Sequence, residues 1–258
     1  APFETWVCGP LHIDAQTHDA DGASYGRLLR FKTSKGAWKT WAMPQRLLAG
    51  DCTALREELL DAGLDIDPKQ RAKLGEYIAH RTPDRFIRCV TSTGWADPGA
   101  FVLPDGVVGP AAAGVVYQSS ERIGDGHGTK GTPDGWREHV AALAPGNSWL
   151  VLALATAFAG PLLHRCLVEG GGLHVFGDSS TGKTSALEAA RSVWGGPDFR
   201  RQWRATANGI EGVAALHNDL LLPLDEIGEC DGRALGEVAY MLANGVGKSR
   251  ATRSGGAR

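Results

Sequence analysis

The stretch GDSSTGKT, Gly177 to Thr184, restricts this 258-residue chain more than any other part of it. It meets every fixed position of G-x-x-x-x-G-K-[ST]. Glycines at both ends of the loop let the backbone wrap closely, so that its N–H groups converge on phosphate oxygens. Lys183 is placed to reach β- and γ-phosphates, and the Thr184 hydroxyl suits Mg²⁺. The helix that follows the loop would add its positive N-terminal end to the same anion. Gly177, Asp178, Ser179, Ser180, Thr181, Gly182, Lys183 and Thr184 are therefore candidate ATP-binding residues. Lys183 is also a catalytic candidate, and Thr184 a metal candidate.

The flanks have the order such a loop needs. Leu173-His174-Val175-Phe176 is a short apolar run of strand length directly before it. TSALEAARSVW follows, rich in helix formers, with Leu187, Ala190 and Val193 or Trp194 on one face. The sequence therefore predicts strand, loop and helix in succession. Gly247-Lys248-Ser249 repeats the G-K-S ending, but Leu242 stands where the first glycine is required.

A second chemical site lies in NDLLLPLDEIGE, Asn218 to Glu229. Asp225 and Glu226 end an apolar run. Between them and Lys183 there is room for the loop's helix, a strand near Arg201–Thr206 and a helix over residues 209–217. An aspartate at a strand tip beside a phosphate loop binds Mg²⁺ directly or through water. An adjacent glutamate can act as general base on the attacking water. Pro223 is awkward in a central strand because it has no N–H to donate, and it suggests a bulge. Asp225-Glu226-Ile227-Gly228 also fits the D-x-x-G of GTPases, so a GTPase reading stays open beside the ATPase one.

Elsewhere the pattern is that of an ordinary globular chain. Tyr25–Met43 reads as two strands around a Thr33-Ser34-Lys35-Gly36 turn, with Trp38 and Trp41 on opposite faces. Residues 53–64 have helical spacing at Leu55, Leu59 and Leu60, with Gly63 as the stop. Pro68 opens a second helix. RFIRCV and FVLPDGVVG read as strands, the second folded at Pro104-Asp105-Gly106. The glycine-rich residues 124–135 mark a soft boundary. The expected organisation is an α+β accessory domain over residues 1–131 and an α/β nucleotide-binding domain with a parallel sheet flanked by helices over residues 132–258.

A net charge of −2 points to no global attraction to nucleic acid or membrane. The five cysteines are scattered, with no C-x-x-C pair, which favours a reducing, cytoplasmic setting over disulfides or zinc. Trp149–Leu163 is apolar but too short for a span of about 20 residues, so it is expected as a buried core helix capped by Asn147 or Ser148. His12–Gly22 groups histidines and aspartates at a spacing that fits no metal signature, and is expected as a hairpin or loop tip. The eight tryptophans are expected mainly in core roles. Residues 248–258 carry Lys248, Arg250, Arg253 and Arg258 with no acid. The three arginines are candidates for an arginine finger, a phosphate sensor or a nucleic-acid contact.

HVFGDSSTGKTSALEAARSVWG, TANGIEGVAALHNDLLLPLDEIGE and YMLANGVGKSRATRSGGAR together resemble the domain of unknown function numbered 927, over nearly the whole chain. That family occurs in replication-type proteins of phages, plasmids and other mobile elements, and often carries a helicase label. The resemblance implies a P-loop ATPase with a catalytic glutamate. In that scheme Lys183 and Thr184 serve phosphate and Mg²⁺, Asp225 holds the metal, and Glu226 activates water. It implies ATP and Mg²⁺ as cofactors and DNA as the nucleic-acid partner. It also implies a homo-oligomer, a ring in which a neighbour's arginine completes the site. Three core strands are expected, near residues 173, 203 and 221. The next strand is expected after Arg258, so the core is read as incomplete at its C-terminal end. A nucleotide-dependent loader or switch on DNA that does not unwind it is the alternative.

Overall fold

The computed structural model describes residues 4–118, 126–203, 207–229 and 232–244. The chain is a mixed α/β fold that divides into two compact units. One comprises residues 1–91, 97–100 and 107–120, the other residues 92–96, 101–106 and 121–258.

The first unit is built on a five-stranded sheet. Its strands are β1 (Leu11–His18), β2 (Gly26–Lys32), β3 (Trp38–Pro44), β4 (Phe86–Val90) and β8 (Val115–Tyr117), in the order β3-β2-β1-β4-β8. β1, β2 and β3 pair antiparallel, while β4 lies parallel to both β1 and β8. The Thr33–Gly36 turn forms as predicted, with Gly36 at φ 85° and its N–H on the Thr33 carbonyl at 2.8 Å. Residues 12–22, expected as a hairpin or loop tip, form a hairpin: residues 12–18 belong to the central strand β1, which pairs antiparallel with β2. Leu11, Ile13, Ala15 and Thr17 are buried, and the polar residues between them are the alternate positions of a strand. Only Asp19–Gly22 forms the turn.

Helices α1 (Thr53–Asp61) and α2 (Arg71–His80) close the core of this unit. Leu55, Leu59, Leu74 and Ile78 pack with Leu11, Ile13, Leu29 and Phe31. Gly63, at φ 96°, ends α1, and the Leu64 N–H reaches back to the Leu59 carbonyl at 2.9 Å. That is a Schellman closure, which needs the left-handed residue glycine supplies. Leu60 is 54% exposed and belongs to the outer face, contrary to expectation. Pro68 lies in a turn, and α2 starts three residues later than predicted. Strands β5 (Gly94–Asp97), β6 (Ala100–Leu103) and β7 (Gly106–Val108) form a small sheet, with Pro104-Asp105 turning β6 into β7.

The second unit contains α3 (Pro133–His139), α4 (Ser148–Arg165), α5 (Lys183–Arg191), α6 (Ala207–Ala215) and α7 (Gly232–Asn244). It also holds a two-stranded parallel sheet of β9 (Arg201–Gln202) and β10 (Leu224–Asp225). Thr132 caps α3, accepting the Gly135 N–H at 3.1 Å, with Pro133 in the first turn. Asn147 caps α4 through the Leu150 N–H at 3.2 Å.

α4 is not the fully buried helix its composition suggests. Leu154 and Ala157 are buried, while Trp149, Val151, Phe158 and Leu162 are exposed. No helix among the described residues is long and apolar enough to cross a membrane. Pro161 lies inside α4 and cannot donate to the Ala157 carbonyl one turn back. That carbonyl instead accepts the Trp194 indole N–H at 2.8 Å, and the Pro161 carbonyl accepts that of Trp95 at 2.8 Å. The proline therefore creates the acceptor that ties α4 to the segment following α5.

Candidate nucleotide site

The loop before α5 carries its unusual backbone where the sequence places the cradle. Gly177 has φ 151°, Gly182 has φ 88°, and Ser180 takes a left-handed φ of 62°. For a residue with a Cβ, that last conformation costs about 1–2 kcal/mol, and such strain gathers at functional loops. Residues 177–182 are exposed, as is Thr184, while Lys183 is half-buried. Thr181 Oγ1 donates to the Asp178 carbonyl at 2.9 Å and tightens the turn. The Lys183 ammonium folds back over the loop, donating to the Gly177 carbonyl at 2.7 Å and to the Asp178 carbonyl. A cation and the N-terminal end of a helix thus stand together at the loop.

α5 is held firmly from behind. Ala186 and Ala190 are buried on the side facing α4, with Leu187 half-buried. The Trp136 indole on α3 donates to Ser192 Oγ at 2.9 Å, just past the end of the helix. Leu173–Phe176, expected as the strand leading into the loop, does not form one. Leu173 is 58% and Phe176 82% exposed. A strand exists only through a partner, and no described segment pairs with this run. The three glycines before it, Gly170 to Gly172, also weaken extended order.

The carboxylate site forms where the run ends. β10 pairs with β9 through the Arg201 N–H to the Pro223 carbonyl at 2.9 Å and the Trp203 N–H to the Asp225 carbonyl at 3.0 Å. Pro223 therefore serves only as an acceptor, immediately before the strand. No bulge is needed to accommodate it. Asp225 is half-buried at the tip. Its Oδ1 accepts the Glu226 N–H at 2.9 Å, and its Oδ2 lies 3.4 Å from Arg200 Nη1. Glu226 is exposed, at a left-handed φ of 60°.

Two residues that the sequence reading did not single out connect these parts. Glu188, on α5, lies 3.2 Å from Arg200 Nη1, the same nitrogen that meets Asp225. Glu188 also pairs with Arg191 on its own helix, and that hydrogen bond, followed by the Arg191 and Arg200 charges, holds its carboxyl below its ordinary value against the opposing effect of burial. Positions four apart share a helix face. Glu188 therefore lies one turn beyond Thr184 on that face. The chain Thr184, Glu188, Arg200, Asp225 thus ties the strand tip to the side of α5 that leads into the cradle. The i, i+4 spacing of Thr184 and Glu188 was visible in the sequence. Arg200 carried no such signal, because its role depends on where β9 runs. Arg250, Arg253 and Arg258 lie outside the described residues, and no cluster of metal-binding type occurs among the described ones.

Fold and sequence together define a mixed α/β chain with a phosphate-loop signature at the start of a helix. The chain belongs to the family described as Domain of unknown function (DUF927), whose model matches residues 1–258. Its fold is similar to that of the solved "SCCmec type IV Cch - active helicase", with a TM-score of 0.73 at 23% identity. The likeness covers 96% of this chain and 49% of that one, so the chain spans about half the length of the structure it matches. Comparison with curated proteins finds no match.

Proposed function

We propose that this chain is the ATP-binding and ATP-hydrolysing part of a DNA helicase or replication protein of a mobile element or phage, with a P-loop ATPase core. The observation that carries the reading is the Glu188–Arg200–Asp225 bridge. It holds the acidic strand tip beside α5, one turn beyond Thr184, which supports a metal site shared by Thr184 and Asp225. The fold likeness to a helicase and the family's occurrence in replication proteins support a motor role and DNA as its partner.

The residues fit the ligand. An exposed loop with left-handed positions, a cation folded over it and a helix N-terminus behind it suit a polyphosphate. Lys183 now rests on neutral carbonyls, and a phosphate oxygen would be a stronger, charge-assisted partner. Thr184 and Asp225 would hold Mg²⁺, which supplies neutralisation of developing phosphate charge. To do so, Asp225 exchanges its Arg200 contact. Glu226, exposed beside it, takes the proton of the attacking water. Arg250, Arg253 and Arg258 are assigned to the arginine finger, sensor or nucleic-acid contact of a homo-oligomeric ring.

The test is ATP hydrolysis by the full-length protein with and without single-stranded DNA. Lys183→Ala is expected to abolish binding and turnover, and Glu226→Gln to abolish turnover while binding persists. Normal hydrolysis by Lys183→Ala would defeat the reading. DNA-stimulated hydrolysis without strand separation would leave a loader or switch.

A further inference from the structure

The N-terminal unit carries a surface with a chemistry of its own. Cross-strand pairing sets His12 opposite Arg30, Arg30 opposite Thr40, and Lys32 opposite Trp38. Directly opposed residues share a sheet face. His12, Arg30, Lys32, Trp38 and Thr40 therefore stand together on one side of β1, β2 and β3. The helices pack on the other side, over Leu29 and Phe31.

Trp38 lies on the edge strand and is 49% exposed. Its partner on strand β3, Trp41, turns the opposite way and packs against the core. The Trp38 ring is held in place rather than left to swing. The Arg30 guanidinium stacks over it at 5.0 Å, and the His12 ring lies 5.6 Å away. Arg30 is in turn fixed by Asp14 at 2.7 Å. Asp14 is the one acid on these three strands, and Arg30 engages it. Lys32 stands exposed beside the indole, and Lys35 is exposed at the tip of the same hairpin.

A pre-oriented, half-exposed indole with Lys32 and Lys35 exposed on its hairpin is poorly suited to an apolar protein partner, whose contact would bury those two charges unpaired. It suits a polyanion that also offers flat rings. We propose that this face binds single-stranded nucleic acid, with one base stacked on Trp38 and the adjoining phosphates along Lys32 and Lys35. A duplex keeps its bases stacked on one another and has no free ring to offer. This face belongs to the unit that does not contain the phosphate-loop signature, and it binds whether or not the cradle is filled.

The test is fluorescence anisotropy of the full-length protein with a labelled oligothymidylate, measured without nucleotide over a range of salt. Trp38→Ala weakens binding by about tenfold, and Trp38→Phe, which keeps a stacking ring, retains most of it. Lys32→Ala makes the negative slope of log affinity against log salt shallower by about 0.7. Trp38 and Lys32 are exposed, so both variants keep the wild-type circular dichroism spectrum. Wild-type affinity in both Trp38→Ala and Lys32→Ala overturns the proposal and leaves the face to a protein partner. Tighter binding of duplex than of single strand overturns it equally.

Discussion

The guanidinium of Arg200 lies 3.4 Å from the Asp225 carboxylate, and the same nitrogen lies 3.2 Å from Glu188 on α5. One side chain thus spans two carboxylates that come from separate elements. It holds the tip of β10 against α5. Removing the arginine frees Asp225 from its cation and loosens β10 from α5.

Arg200→Ala is accordingly expected to cost less than about 1 kcal/mol of stability, because the pairs are partly exposed and screened. Its effect on ATP hydrolysis is expected to be larger than its effect on melting temperature. Arg200→Lys restores the charge but bridges two carboxylates less well, so its rate falls between the two. Parallel thermal melts and steady-state hydrolysis check this.

Glu188 gives the site a pH signature. Its carboxyl is held below the ordinary value of 4.5, first by the Arg191 hydrogen bond and then by the Arg191 and Arg200 charges. A depressed folded value means that the stabilisation is complete above the ordinary value and is lost as pH falls through the lowered one. Glu188→Gln is expected to flatten this acid limb in urea titrations run at successive pH values, with little change near neutrality.

The Trp194 indole bonded to the Ala157 carbonyl can be tested by a double-mutant cycle. Trp194→Phe leaves that carbonyl without its donor and is expected to cost about 1–3 kcal/mol in chemical denaturation. Pro161→Ala restores the backbone N–H that the helix lacks. The loss from Trp194→Phe is therefore expected to shrink in the Pro161→Ala background. Additive losses would show that the indole bond does not stand in for the N–H that Pro161 lacks.

Ser180 offers a test of strain in the cradle. Its φ of 62° is one that glycine adopts freely. Ser180→Gly is expected to raise stability by up to about 1 kcal/mol, the relief being offset in part by the extra freedom glycine has when unfolded. Calorimetry reads the gain, and nucleotide affinity reads whether the strain contributes to preorganisation.

How much could be read in advance depended on the range of the forces involved. The Thr33–Gly36 hairpin, the Gly63 stop and the Asn147 cap were legible, because each is decided by a few neighbouring residues. Residues 12–22 were legible as a hairpin or loop tip, but the extent of the strand was not, because polar residues alternating with Leu11, Ile13, Ala15 and Thr17 look loop-like until the strand has a partner on both sides. Leu173–Phe176 failed in the opposite sense. Its apolar run has strand composition, yet composition supplies no neighbour to hydrogen-bond with.

By itself the sequence determined the phosphate-loop signature at Gly177–Thr184, the Asp225-Glu226 pair, the helix that follows the loop and the family to which the chain belongs. These rest on residue identity and local spacing. The tertiary structure alone decided that Arg200 joins Glu188 to Asp225, that Pro223 gives its carbonyl to β9, and that Trp38 faces outward under Arg30. Each of those is a contact between segments distant in the chain, and pairing register and helix packing, rather than composition, determine which side chains meet.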